Sequence, residues 1–233
     1  MMKVALFDLD GVVFDTESQY SIFWGGIGKE YHPELPDFAH RIKGQTLVQI
    51  YDKYFNDDAV FAHIEGFTSC KDEQDKITAR LDEFEHNMKY EYIAGFEDFV
   101  KDLKAHGVKC AVVTSSNIQK MLNVYKHHPE FQSYFDRVLT SEDFAKSKPD
   151  PDCYLKGMEY FHAKAEETVG FEDSFNGLKS VKASGAFTMG LATTNAADAI
   201  APYSDYIIND YIGIGYAEVC KIVEETRQAD AQC

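Results

Sequence analysis

Short apolar runs rich in β-branched residues, each bounded by turn-forming residues, occur at 3–7, 108–113, 137–139, 168–171, 186–191 and 205–208. Runs of this length and composition predict strands buried on both faces. Between them the period changes. Phe96-x-x-Phe99-Val100-x-x-Leu103 followed by Gly107 predicts an amphipathic helix closed by a glycine, 177–183 before Gly185 repeats the scheme, and 217–226 carries the apolar stripe of a covering helix. Alternation of strand and helix predicts an α/β, Rossmann-like core: a parallel sheet with helices on both faces.

One stretch breaks the alternation. From about 18 to 92 the periodicity is helical (38–54, 59–64, 77–88), charge is dense and no strand pattern appears. The expectation is an all-helical insert at 16–92, hinged near 15–17 and 92–95, with 1–15 and 93–233 forming the core. Gly25-Gly26 weakens the first insert helix by about 1 kcal/mol per glycine relative to alanine. Tyr20, Phe23 and Trp24 fall on that helix and predict packing within the insert, Tyr20 lying nearest the hinge.

Composition narrows the function classes. Of 233 residues, 45% are hydrophobic and 14% aromatic, which is globular rather than disordered. A formal net charge of −16 opposes capture of nucleic acid or an anionic membrane, both polyanions. An acidic protein that takes an anionic small molecule must neutralise it locally, with a divalent cation, a buried lysine or backbone N–H groups. Five scattered cysteines (Cys70, Cys110, Cys153, Cys220, Cys233) form no C-x-x-C pair and fit a reducing cytoplasm. The N-terminus is too short before its acidic residues for a signal peptide, and no long apolar run follows, so a soluble, unprocessed chain with no obligate protein partner is expected. The eight histidines show no ligand spacing, and His127-His128 before Pro129 reads as an exposed helix end.

Four places carry chemistry. Phe7-Asp8-Leu9-Asp10-Gly11 ends the first strand, where ligands of open α/β sheets bind. Its two carboxylates suit a nucleophile, Asp8, and a proton shuttle, Asp10, while Gly11 lets backbone turn close to a ligand. An acidic turn is the plainer alternative, and Asp150-Pro151-Asp152 shows the same spacing in a loop. Thr114-Ser115-Ser116-Asn117 runs from a strand end into a helix, where hydroxyls and free N–H groups suit phosphate, or simply cap the helix. Lys146-Ser147-Lys148-Pro149 presents lysine on a rigid turn. Glu172-Asp173 places paired acids at another strand end. Two acidic clusters at neighbouring strand ends repel unless a cation lies between them, and a hard cation such as Mg²⁺ prefers oxygen ligands.

The order of these four motifs resembles the haloacid dehalogenase-like superfamily, and the insert, with Asp15-Thr16-Glu17 leading into it, resembles the helical cap of its β-phosphoglucomutase-like branch. The resemblance spans the core. It implies Asp8 as nucleophile, Asp10 as general acid/base, Thr114 as phosphate-binding hydroxyl and Lys148, directly before Pro149, as the phosphate-neutralising lysine. Asp8, Asp10, Glu172 and Asp173 would hold Mg²⁺; Gly11, Ser115, Ser116, Asn117, Thr16 and Tyr20 would line the phosphate and substrate site. The implied activity is hydrolysis of a small phosphorylated metabolite through an aspartyl-phosphate. The branch's mutases carry an arginine where Leu47 stands, after Ile42-Lys43-Gly44-Gln45-Thr46, and a histidine where Tyr20 stands. Both departures place a mutase second. Dehalogenation gives Asp10 no role, and a non-catalytic phosphate-binding module would be expected to lose one of the four motifs.

Overall fold

The computed structural model describes residues 2–230, so Cys233 lies outside the described residues. Six strands, β1 (Val4–Phe7), β2 (Lys109–Val113), β3 (Arg137–Leu139), β4 (Thr168–Glu172), β5 (Phe187–Leu191) and β6 (Tyr206–Ile208), form one sheet in the order β3-β2-β1-β4-β5-β6. Every pairing is parallel. All six strands fall within two residues of the runs read from the sequence, because strands covered on both faces read as short, mostly apolar runs. In β1, Ala5 and Phe7 face one layer and Val4 and Leu6 the other. Phe7 anchors the first layer, stacked on Phe171 at 4.6 Å between centroids with Phe96 edge-on at 5.7 Å.

Eleven α-helices are described: α1 (Glu17–Tyr31), α2 (Phe38–Arg41), α3 (Leu47–Tyr54), α4 (Cys70–His86), α5 (Phe96–Ala105), α6 (Ile118–His127), α7 (Phe131–Tyr134), α8 (Asp152–Tyr160), α9 (Phe175–Ser184), α10 (Ala197–Ile200) and α11 (Tyr216–Asp230). Helices α1 to α4 lie between β1 and β2 and build their own apolar cluster around Trp24, Ile27, Phe38, Phe55 and Ile77. The two connecting segments run side by side: Asp15 N–H donates to Glu91 O at 2.8 Å and Ile93 N–H to Val13 O at 2.9 Å.

Local chemistry corrects three sequence expectations in this insert. The single helix expected over 38–54 is two helices, because Gly44 takes φ +73° and Thr46 starts α3 with a reciprocal capping box to Gln49. The expected helix at 59–64 is a 3₁₀ turn, Asp58–Phe61. The helix expected at 77–88 starts at Cys70, where Ser69 accepts the N–H of Asp72. Helix α1 runs unbroken through Gly25-Gly26, held by buried Trp24, Ile27 and Tyr31.

Candidate active site

Asp8 is the first residue beyond β1, and its N–H still donates to Phe171 O at 3.0 Å, so the sheet fixes its backbone. Lys148 Nζ lies 2.6 Å from Asp8 Oδ1, 2.5 Å from Glu172 Oε1 and 3.0 Å from Val113 O. An ammonium has three donors and here all three are engaged. Burial alone would discharge this lysine; Asp8, then Glu172, reverse that and hold its pKa above the ordinary value.

Glu172 is fully buried and held from both sides. Oε1 also accepts from Tyr154 Oη at 2.9 Å, and Oε2 accepts from Asp173 N–H at 3.2 Å, Ser174 N–H at 3.4 Å and Ser174 Oγ at 3.3 Å. The α9 backbone packs directly on this carboxylate, since a Cβ on Gly177 would overlap it.

Asp8, Glu172 and Asp173 each present a carboxylate oxygen within 4.8 Å of the others. Burial pushes the Asp8 carboxyl up to about 7; Lys148 opposes the rise, and Glu172 and Asp10 add to it. Burial, then Glu17, Glu172 and Asp8, push Asp173 well above the carboxylate range, and its Oδ2 is buried with no hydrogen-bond partner. An orphaned carboxylate oxygen beside two other acids is costly by itself and suits a hard cation with oxygen ligands. Gly11, at φ +73°, is required here: any Cβ would overlap Asp173 Oδ2.

Asp10 does not join that trio by its side chain. Its Oδ1 accepts from the Thr16 hydroxyl, and its Oδ2 from Ser116 Oγ at 3.3 Å and from the Lys120 ammonium. Lys120 is buried, with Nζ 4.5 Å from the centre of the Tyr20 ring. Tyr20 Oη in turn donates to Glu85 Oε1 at 2.7 Å. Burial raises the Glu85 carboxyl and Lys120 opposes it. Asp10, Lys120, Tyr20 and Glu85 thus form a chain from core to insert.

The second strand end divides its tasks. Thr114 Oγ1 accepts Ser116 N–H at 3.0 Å, leaving its proton to donate, and its residue lines the cavity described below. Ser115 Oγ faces Gly44 O at 3.5 Å, and Asn117 Oδ1 caps α6 by accepting Lys120 N–H at 2.9 Å. The 42–46 loop of the insert also receives Asn176 Nδ2 on Lys43 O at 3.1 Å and Ser147 Oγ on Thr46 Oγ1 at 3.3 Å. Between this loop, α1, α4 and the strand ends lies a cavity of about 820 Å³ containing Asp8, Asp10 and Thr114 in its wall. Lys146 stands at its rim and pairs with Asp150, leaving Lys148 as the buried lysine.

Lys120, Glu85, Lys43, Glu17 and Tyr154 were not among the site residues expected from sequence. Two had a signal. Lys120 is a cation in the first turn of α6, where the helix dipole disfavours it, so a buried counter-charge is needed. Glu85 continues the buried series Glu73, Ile77, Leu81 at helical spacing, an acid on the apolar face.

The sequence model of the haloacid dehalogenase-like hydrolases matches residues 5–191, from β1 through β5. The chain belongs to that family. A phosphorylated carbohydrates phosphatase of Thermotoga maritima is 26% identical over 185 residues, covering 79% of this chain and 82% of the relative. The β-phosphoglucomutase of Bacillus subtilis is 24% identical over 196 residues, covering 82% and 83%. A solved β-phosphoglucomutase of Clostridium difficile superposes with a TM-score of 0.72 at 16% identity, covering 97% and 98%, a likeness of fold. This haloacid dehalogenase-like chain is accordingly an enzyme, a hydrolase whose relatives include named phosphatases. Among its described residues no helix is long and apolar enough to cross a membrane.

Proposed function

We propose that this hydrolase is a Mg²⁺-dependent phosphatase that cleaves a small phosphorylated metabolite through an aspartyl-phosphate on Asp8. The observation that carries the reading is the Asp8 carboxylate held against a fully paired Lys148 while the neighbouring Asp173 keeps an unsatisfied oxygen. Asp8 and Asp173 would hold the ion, with Glu172 beside them more fully committed to Lys148. Bound there, Mg²⁺ supplies the positive charge that offsets repulsion between carboxylate and phosphate.

Asp8 Oδ attacks phosphorus in line, forming the acyl phosphate as the ester P–O bond breaks. Asp10 protonates the departing alkoxide, then takes a proton from the water that hydrolyses the intermediate. Thr114 donates its hydroxyl to a phosphoryl oxygen, and Lys148 stabilises charge there without leaving its carboxylates. Thr16, Ser116 and Lys120 orient Asp10 from three sides. Asp8→Asn should lower phosphate release from p-nitrophenyl phosphate by at least about 1000-fold with the circular dichroism unchanged. Undiminished turnover by that variant would rule the mechanism out.

A further inference from the structure

The far side of the cavity from Asp8 is unlike the strand ends. Its wall on the insert carries Trp24, Ile42, Leu47, Ile50 and Leu81 among polar side chains such as Gln45 and Gln49, and Phe144 lines it from the core. Its charged groups are already matched. Lys43 Nζ lies 3.1 Å from Glu17 Oε2, an ion pair without hydrogen-bond geometry that leaves this oxygen unsatisfied, and Lys146, at the rim, lies 3.4 Å from Asp150 Oδ2 and is mostly in water. Lys120 is taken by Asp10 and Lys148 by Asp8 and Glu172. A second anionic group on the ligand would find no unpaired buried cation, and it would lie near Glu17 and Glu85, both in the wall.

Volume points the same way. A cavity of about 820 Å³ is within the range that encloses drug-sized ligands, whereas a three-carbon phosphate leaves most of it to water. Apolar wall contributes to affinity only where a ligand covers it, at about 25 cal/mol per Å². Glu85 spends Oε1 on Tyr20, and no other side chain of the described residues hydrogen-bonds its carboxylate, which leaves Oε2 for a hydroxyl or N–H of the ligand.

We infer that the substrate is a singly phosphorylated ester of a bulky, uncharged alcohol with an apolar ring body and a hydrogen-bond donor, and that bisphosphates are excluded. This rests on the phosphatase reading for turnover, but the recognition it describes is a binding property.

Calorimetric titration of the Asp8→Asn protein with Mg²⁺ separates the two claims. Flavin mononucleotide and 5-hydroxy-1-naphthyl phosphate should bind at least about tenfold more tightly than fructose 1,6-bisphosphate or glycerol 3-phosphate. Equal or tighter binding of either hydrophilic ester, or no binding of the ring esters, overturns the inference. Ring esters that bind as expected but are not hydrolysed by wild-type protein sink the phosphatase reading and leave the recognition intact.

Discussion

The two ends of the cavity handle burial in opposite ways. At the core end charge is buried and matched group by group: Lys148 has three acceptors, and Glu172 accepts from Lys148, Tyr154, the N–H groups of Asp173 and Ser174, and Ser174 Oγ. At the cap end burial is apolar, with Glu85 tied to a single tyrosine hydroxyl. Strand ends bring fixed backbone donors and acceptors that can hold charge to a tight geometry. Side chains projecting from a helical insert supply shape instead. On the proposed reading, catalysis belongs to the first end and selection of the organic group to the second.

The strongest way to break this comparison is Lys148→Met. It strands Glu172 and Asp8 in the interior, and urea unfolding should show a loss of about 3–5 kcal/mol. A loss below about 1 kcal/mol would mean that paired charge does not hold the core end together.

Mg²⁺ and pH probe the same carboxylates reversibly. In the unfolded chain the Asp8 carboxyl titrates near 3.8; in the metal-free fold it is pushed up to about 7. The fold therefore favours the protonated form. Its contribution is fully present below about pH 4, declines as pH rises, and is gone once pH passes about 7. Glu17, Glu85 and Asp173 shift in the same direction. Relative to Asp8→Asn, metal-free wild type should lose stability across that window. Mg²⁺ at a fixed concentration one hundred times its dissociation constant at pH 8 should restore about 2.7 kcal/mol there and less at pH 5. Melting curves with Mg²⁺ and with EDTA at both pH values check this, and a Mg²⁺ effect that shrinks as pH rises would contradict it.

Gly11→Ala sharpens the comparison at one atom. A left-handed backbone costs a non-glycine residue about 1–2 kcal/mol, and the added methyl displaces Asp173 Oδ2. Stability should fall by about that amount or more, and the Mg²⁺-induced rise in melting temperature should disappear. The smallest effect is expected in the cap. Ser69→Ala removes the acceptor at the start of α4 and should cost about 1 kcal/mol in thermal unfolding, with Mg²⁺ stabilisation unchanged. A matching loss of Mg²⁺ response would show that the two ends are not separable.

The strands were legible because each is short and mostly apolar, a pattern that few other arrangements of a chain tolerate. The cap was less so. Helix α1 runs through two adjacent glycines because Trp24, Ile27 and Tyr31 pack into a common cluster, a tertiary effect that outweighs local propensity. The break between α2 and α3 did have a local sign, Thr46-x-x-Gln49, which the apolar periodicity on either side concealed. In the candidate site, Asp8, Lys148 and the Glu172-Asp173 pair stand at strand ends or on a turn that chain order indicates. Lys120 and Glu85 do not: one lies in a core helix and the other in a cap helix, and only folding brings each beside Asp10 or Tyr20.

By itself the sequence determined the parallel sheet and the acidic strand end at Asp8, because those follow from periodicity, length and residue type along a continuous segment. Only the tertiary structure decided how the charges divide. Lys148 is shared between Asp8 and Glu172, Asp10 turns toward Thr16 and Lys120, and Asp173 is left with an oxygen for a cation. Those assignments depend on which of several nearby acids a given lysine reaches, and that is set by angstrom-scale distances between segments that can lie more than one hundred residues apart.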